Sequence, residues 1–186
     1  MRGCATGLLV LVLVAALLAG VAYVLLGQTP PGAAVAPPIP VSTTAAQSFD
    51  QKLATIQHAD KPTTVEITEQ EATSKLQETL ATDPEAPKFD NAQIAFRDGK
   101  MHLSGTERET PIPVTILVIG QIEARNGQLV AVVEQVDTGR APLPDAFKEQ
   151  IVSALSDLET LNKYLAIFVT DARVVDGHLA LTGHPK

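Results

Sequence analysis

The chain has a single cysteine, Cys4, so no intrachain disulfide can brace it. Cys4 precedes the apolar run described below, where a bacterial lipoprotein cysteine would follow one, and it reads as a flanking residue. A basic excess is missing too. Arg2 is the only charged residue before Asp50, and beyond Gly27 lie all 21 acidic residues and 13 of the 14 basic ones, a formal charge of −8. Such a surface gains nothing from phosphate contacts, which argues against nucleic acid as a partner and against non-specific attraction to an anionic bilayer.

Reactive motifs are absent as well: there is no nucleophile elbow, P-loop, GxGxxG, HExxH or CxxC. His58, His102, His178 and His184 are scattered, none at a ligand spacing from another, so no metal is expected. Glu69 and Glu71 decorate a helix start, where negative charge suits the dipole, and Glu107 and Glu109 sit in a polar connection. With no activated nucleophile and no ligand set, the sequence reads as non-catalytic and without a cofactor.

Charge is also lacking from Gly7 to Leu26, where GLLVLVLVAALLAGVAYVLL runs 20 residues. That is about the length a helix needs to cross the ~30 Å hydrocarbon layer. A cleaved signal peptide is the rival reading, but its apolar stretch is usually shorter, and the best small-x-small site, Gly20-Val21-Ala22, lies inside this run. The expectation is an anchor over residues 1–27 that leaves the rest of the chain outside the cytoplasm of a single-pass membrane protein. Residues 28–47 follow as a linker whose five prolines suit an extended stalk with a reach of at most about 60 Å. Residues 48–186 are then the folded extracytoplasmic domain, long enough for one core.

What is present is periodic. Ser48 and Gln51 suit a helix start, with Phe49, Leu53 and Ile56 on one face. Thr68 and Glu71 form a capping box ahead of Ala72, Leu76 and Leu80, and Asp83-Pro84 ends that helix. Asp145 can cap a third helix whose stripe is Phe147, Ile151, Leu155 and Leu158. Between and after the helices, Asp98-Gly99, Asn126-Gly127 and Asp176-Gly177 suit two-residue type I′ hairpin loops, because both central positions there need positive φ. A two-residue loop fixes register. It sets Phe96 opposite Met101 and Ile94 opposite Leu103, Ala124 opposite Leu129 and Ile122 opposite Ala131, and Val174 opposite Leu179 and Ala172 opposite Leu181. Each hairpin thus gains one apolar face. The other face is polar near the turns, with Arg97, Lys100, Glu123, Arg125, Gln128, Arg173 and His178, and His102 also falls on it. Further away, PVTILVI (113–119), LVAVV (129–133) and YLAIFV (164–169) are apolar at both parities and need cover on both sides.

The order of parts, with the helix ITEQEATSKLQETL (67–80), the hairpin AFRDGKMHLSG, the strand pair IPVTILVIGQIEARNGQLVAVVEQVDTG and the stretch GRAPLP (139–144), resembles the YpmS-like family of bacterial membrane-anchored proteins. More distantly it is similar to the LmeA-like phospholipid-binding family. Gly139, Leu143 and Pro144 match a Gly-x-x-x-Leu-Pro stretch, and Arg140 stands where lysine is common. The resemblance implies an α+β domain with a long curved antiparallel sheet against two or three amphipathic helices and, in the LmeA-like case, lipid binding. The expected function is therefore a tethered domain holding a lipid or other long apolar molecule between sheet and helices. Its expected lining is Ile116, Val118, Val130, Val132, Ile167 and Val169 from the sheet, with Phe147, Ile151, Leu155 and Leu158 from the last helix. The alternative is a stalked adaptor with a closed core that meets another envelope protein.

Overall fold

The computed structural model describes residues 37–82, 89–107, 114–138 and 167–186. The apolar run at 7–26, the GRAPLP stretch and the helix expected from Asp145 lie outside the described residues. No helix among those described is long and apolar enough to cross a membrane.

Within them the architecture is α+β with antiparallel sheets. Helix α1 spans Thr43–Gln57, strand β1 Thr63–Thr68 and helix α2 Glu69–Thr82. Six strands follow as three hairpins: β2 (Phe89–Arg97) with β3 (Lys100–Glu107), β4 (Val114–Arg125) with β5 (Gln128–Asp137), and β6 (Ile167–Val175) with β7 (His178–Pro185). Instead of one curved sheet, the strands form two. The first two hairpins make a four-stranded sheet of order β2-β3-β4-β5, and the third hairpin joins β1 in a three-stranded sheet of order β1-β7-β6. The split arises because β7 finds its second partner in β1, a strand that the sequence reading passed over.

All three hairpins adopt the register set by their loops. Phe96 pairs with Met101 and Ile94 with Leu103, Ala124 with Leu129 and Ile122 with Ala131, and Val174 with Leu179 and Ala172 with Leu181. Two of the turns are of the expected kind, with positive φ at Asp98 and Gly99 and at Asn126 and Gly127. The third differs. Only Gly177 is at positive φ there, and Asp176 turns its side chain to a neighbouring hairpin: its Oδ1 accepts from the Asp98 N–H at 2.9 Å.

That contact explains what the repeated turns do for the fold. Gly177 donates its N–H to the Phe96 carbonyl at 2.9 Å and accepts from the Glu69 N–H at 3.2 Å. At the other end of β6, Val169 N–H donates to the Gly127 carbonyl at 2.9 Å. The third hairpin therefore stretches between the turns of the other two and fastens to each. A bulge keeps its inner face apolar: a register shift between Val169 and Asp171 leaves Ile167 and Val169 on the same side as Ala172 and Val174. The core closes there, with Ile56, Ile67, Ala72, Phe96, Ile167, Val169, Leu179 and Leu181 buried against one another.

Helix α1 begins ahead of the expected Ser48. Ser42 caps it, its side chain accepting from Ala45 N–H at 3.1 Å, so residues 43–47, read from the sequence as linker, are helical. The expected face holds, since Ile56 is fully buried and Phe49 and Leu53 pack against the core. In α2 the stripe Ala72, Leu76, Leu80 is only partly right: Ala72 is buried, whereas the other fully buried positions are Glu71, Thr73 and Ser74.

The interlock of the turns predicts unequal costs for two similar substitutions. A Cβ at Gly99 meets open space, whereas one at Gly127 collides with the Phe168 ring that covers the turn. Gly99→Ala should cost about 1 kcal/mol from backbone strain alone. Gly127→Ala should cost about 2–3 kcal/mol, because the same backbone strain is joined by displacement of the exposed Phe168 ring. Urea denaturation of the two variants measures the difference.

Candidate functional site

Two regions gather buried polar or doubly covered apolar residues, and they have different chemistry. The first is a polar junction at the start of α2. Thr68 and Glu71 form the expected capping box: Thr68 Oγ1 accepts from Glu71 N–H at 3.2 Å, and Glu71 Oε2 accepts from Thr68 N–H at 2.8 Å. The same carboxylate accepts from Ser48 Oγ at 2.5 Å and from Lys52 Nζ at 2.7 Å, both on α1. Lys52 also reaches the Glu66 carbonyl on β1 at 2.6 Å. Burial alone would raise the Glu71 carboxyl, but the hydrogen bonds from Lys52, Ser48 and Thr68 outweigh it and hold its pKa at about 2. A serine, a lysine and a glutamate in contact suggest nucleophile chemistry. Here every donor is spent on a carboxylate or a carbonyl between α1, β1 and α2, which makes the cluster a fastening.

Along α2 the fastening continues. Glu69, Thr73 and Gln77, one on each successive turn, face the outward edge of β2. Glu69 Oε1 accepts from Phe96 N–H at 2.7 Å, Thr73 Oγ1 accepts from Ile94 N–H at 3.0 Å and donates to its carbonyl at 3.1 Å, and Gln77 Nε2 donates to the Ala92 carbonyl at 2.9 Å. Among the described residues no buried side-chain nitrogen or oxygen is left without a partner, and no group of three His, Cys, Asp or Glu side chains is placed to hold a metal.

The second region is the part of the four-stranded sheet away from the turns. Ile116, Leu117 and Val118 are consecutive on β4 and are 5%, 3% and 2% exposed. Neighbouring residues on a strand point to opposite faces, so both faces of the sheet are covered here. The inner face carries Ile116, Val118, Gly120, Ile122 and Ala124, paired across to Gly105, Leu103 and Met101 on β3 and to Ala131 and Leu129 on β5. The outer face carries Leu117 and Ile119 with Val130 and Val132, the last two paired with Glu123 and Gln121.

The expected lining residues accordingly separate. Ile116 and Val118 share the inner face; Val130 and Val132, both half-buried, lie on the outer face; Ile167 and Val169 are on the other sheet, 1% and 2% exposed within the closed core. Phe147, Ile151, Leu155 and Leu158 lie outside the described residues. Leu117 and Ile119, not among the expected lining residues, share that outer face with Val130 and Val132. The signal was present in the two-parity run at 113–119, but choosing a parity required the register across β4 and β5.

Toward the turns the outer face becomes polar. Lys100 pairs with Glu134 at 2.5 Å, Gln121 Nε2 donates to the same carboxylate at 2.5 Å, and Arg125 pairs with Glu123 at 2.6 Å. His102, expected at the surface, is half-buried on this face. Burial and then the nearby Arg97 push its imidazole below the usual value, with Lys100 acting the same way and Asp98 opposing. Val130 and Val132 stand among these groups, paired with Glu123 and Gln121, while Leu117 and Ile119 lie farther from the turns on the same face.

No family model, curated protein or solved structure matches the chain. The class that the structure defines is an α+β domain of two antiparallel sheets whose hairpin turns fasten to one another.

The junction at Glu71 sets a pH dependence. Its pKa is depressed on folding, so its contribution is present above the ordinary carboxyl value of 4.5 and is lost as pH falls from there toward about 2. Glu71→Gln should cost about 3 kcal/mol at pH 7, because Lys52 loses its buried counter-charge. In urea denaturation the gap between the variant and the unaltered chain should narrow below pH 4.

Proposed function

We propose that the chain is a membrane-tethered, extracytoplasmic, non-catalytic domain that binds a lipid or another long apolar molecule against the outer face of its four-stranded sheet. The observation that carries this reading is the presence of the half-buried apolar side chains Ile119, Val130 and Val132 on that face, which continue from the covered Leu117. An apolar molecule laid on that face would gain ~25 cal/mol per Å² removed from water, so a few hundred Å² is enough for useful affinity. The facing wall would come from Phe147, Ile151, Leu155 and Leu158, which recur at helical spacing in the sequence. The uncharged run at 7–26 supports the tether, and the resemblance to the YpmS-like and LmeA-like families agrees with both parts of the proposal.

The adaptor reading has one observation in its favour. Ile167 and Val169, two of the expected lining residues, are packed into a closed core with Ile56, Ile67 and Leu181. On that reading the outer face meets a protein of the envelope, and crosslinking in the native membrane recovers a protein and no lipid.

Residues 37–186, purified and analysed by native mass spectrometry and lipid extraction, should carry or take up lipid from liposomes. Charging the outer face with Val130→Asp and Val132→Asp should reduce uptake by about tenfold or more. A domain that is always empty and takes nothing from liposomes contradicts the proposal.

A further inference from the structure

Before α1 begins, residues 37–42 lie along the domain as a segment with little of its own buried: only Ile39 is half-buried, and the other five residues are exposed. Pro37, Pro38 and Pro40 leave it three N–H groups, at Ile39, Val41 and Ser42. Two of the three are given to side chains of other elements. Ile39 donates to Gln93 Oε1 on β2 at 3.0 Å, and Ser42 donates to Ser74 Oγ on α2 at 3.1 Å. Beside it is a groove of about 400 Å³, where Val41, Thr43 and Ala46 face Ser74, Gln77 and Glu78. The segment is therefore pinned to the domain without being packed tightly on α2. One turn later the character changes, since Ala45 and Ala46 are buried and α1 belongs to the body of the fold.

This is the chemistry of an attachment that can open without unfolding what it is attached to, since the contacts by which Ser42 caps α1, to Ala45 and Ala46, are local to the helix and are kept when its N–H leaves Ser74. Three prolines fix φ in the free as well as the bound segment, so docking costs little backbone entropy. Two hydrogen bonds to side chains are a modest restraint. We infer that residues 37–42 are a releasable strap that sets how far the domain stands from its point of attachment. The inference rests on the membrane tether proposed above. With the strap docked, residues 28–36 alone span the gap, a reach of at most ~28 Å; releasing it adds ~19 Å. Docked, the strap keeps the outer face within a short distance of the bilayer from which an apolar ligand would come.

The test uses the full chain in phosphatidylcholine vesicles, with a donor dye at Lys186→Cys in a Cys4→Ser background and an acceptor dye on the lipid. Hydrogen exchange is followed on the same sample. Ile39→Pro removes one donor together with the one half-buried side chain of the segment, and Ser74→Ala removes the other acceptor. Exchange at Ser42 should quicken by about tenfold in Ile39→Pro, and exchange at Ile39 likewise in Ser74→Ala. The amides of Ile56 and Leu181 should be unchanged, and energy transfer to the vesicle should fall in both variants. Exchange at Ile39 and Ser42 as fast as in a free peptide, or unaffected by either substitution, overturns the strap. Exchange that responds as expected with no energy transfer in any sample upholds the strap and overturns the tether.

Discussion

Among the described residues β2 ends the four-stranded sheet with a row of backbone N–H and C=O groups that no strand pairs, and burying such groups unpartnered costs about 1–3 kcal/mol each. The structure meets this constraint with side chains and a turn. Glu69, Thr73 and Gln77 of α2 satisfy Phe96, Ile94 and Ala92, and Gly177 takes the carbonyl of Phe96. The other arrangements follow from that choice. Because α2 lies against the edge of β2, its buried side is polar, and the junction of Glu71 with Ser48, Lys52 and Thr68 fixes α1 and β1 beside it. Because Gly177 reaches Phe96, the third hairpin is brought to the turns of the other two, and the core closes between the sheets.

Much of this was legible in the sequence, and the reason is local. The Asx-Gly loops fix their neighbours by geometry within a few residues, so the pairings Phe96–Met101, Ala124–Leu129 and Val174–Leu179 could be read without knowing anything distant. The Thr68–Glu71 box is equally local. What could not be read depends on contacts across the chain. Strand β1 is six residues long, and only its pairing with β7, more than a hundred residues away, defines it. The stripe Glu69, Thr73, Gln77 is periodic but polar, and a search for apolar periodicity places such residues in solvent. Ser48 has the right chemistry for a helix start; its hydroxyl is taken by Glu71, and Ser42, whose own N–H is held by Ser74, caps the helix instead.

The candidate site was legible only in part for the same reason. Composition marks β4 as covered on both sides, and the burial of Ile116, Leu117 and Val118 agrees. Deciding which side is core and which is available needs the register between β4 and β5 and the position of the third hairpin. Those place Ile167 and Val169 in the closed core and Val130 and Val132 on the opposite side of the other sheet from Ile116 and Val118. The two faces of one sheet thus differ: the inner face closes the core near the turns, and the outer face carries the covered Leu117 and the half-buried Ile119 away from the turns and Val130 and Val132 among the charged groups nearer to them.

Methyl-resolved NMR of the domain labelled at isoleucine and valine and titrated with a deuterated phospholipid tests that division most directly. The account predicts that the methyl signals of Ile119, Val130 and Val132 shift with lipid while those of Ile56, Ile167 and Val169 stay in place. Shifts confined to the core residues, or no shift at any of the six, would contradict it.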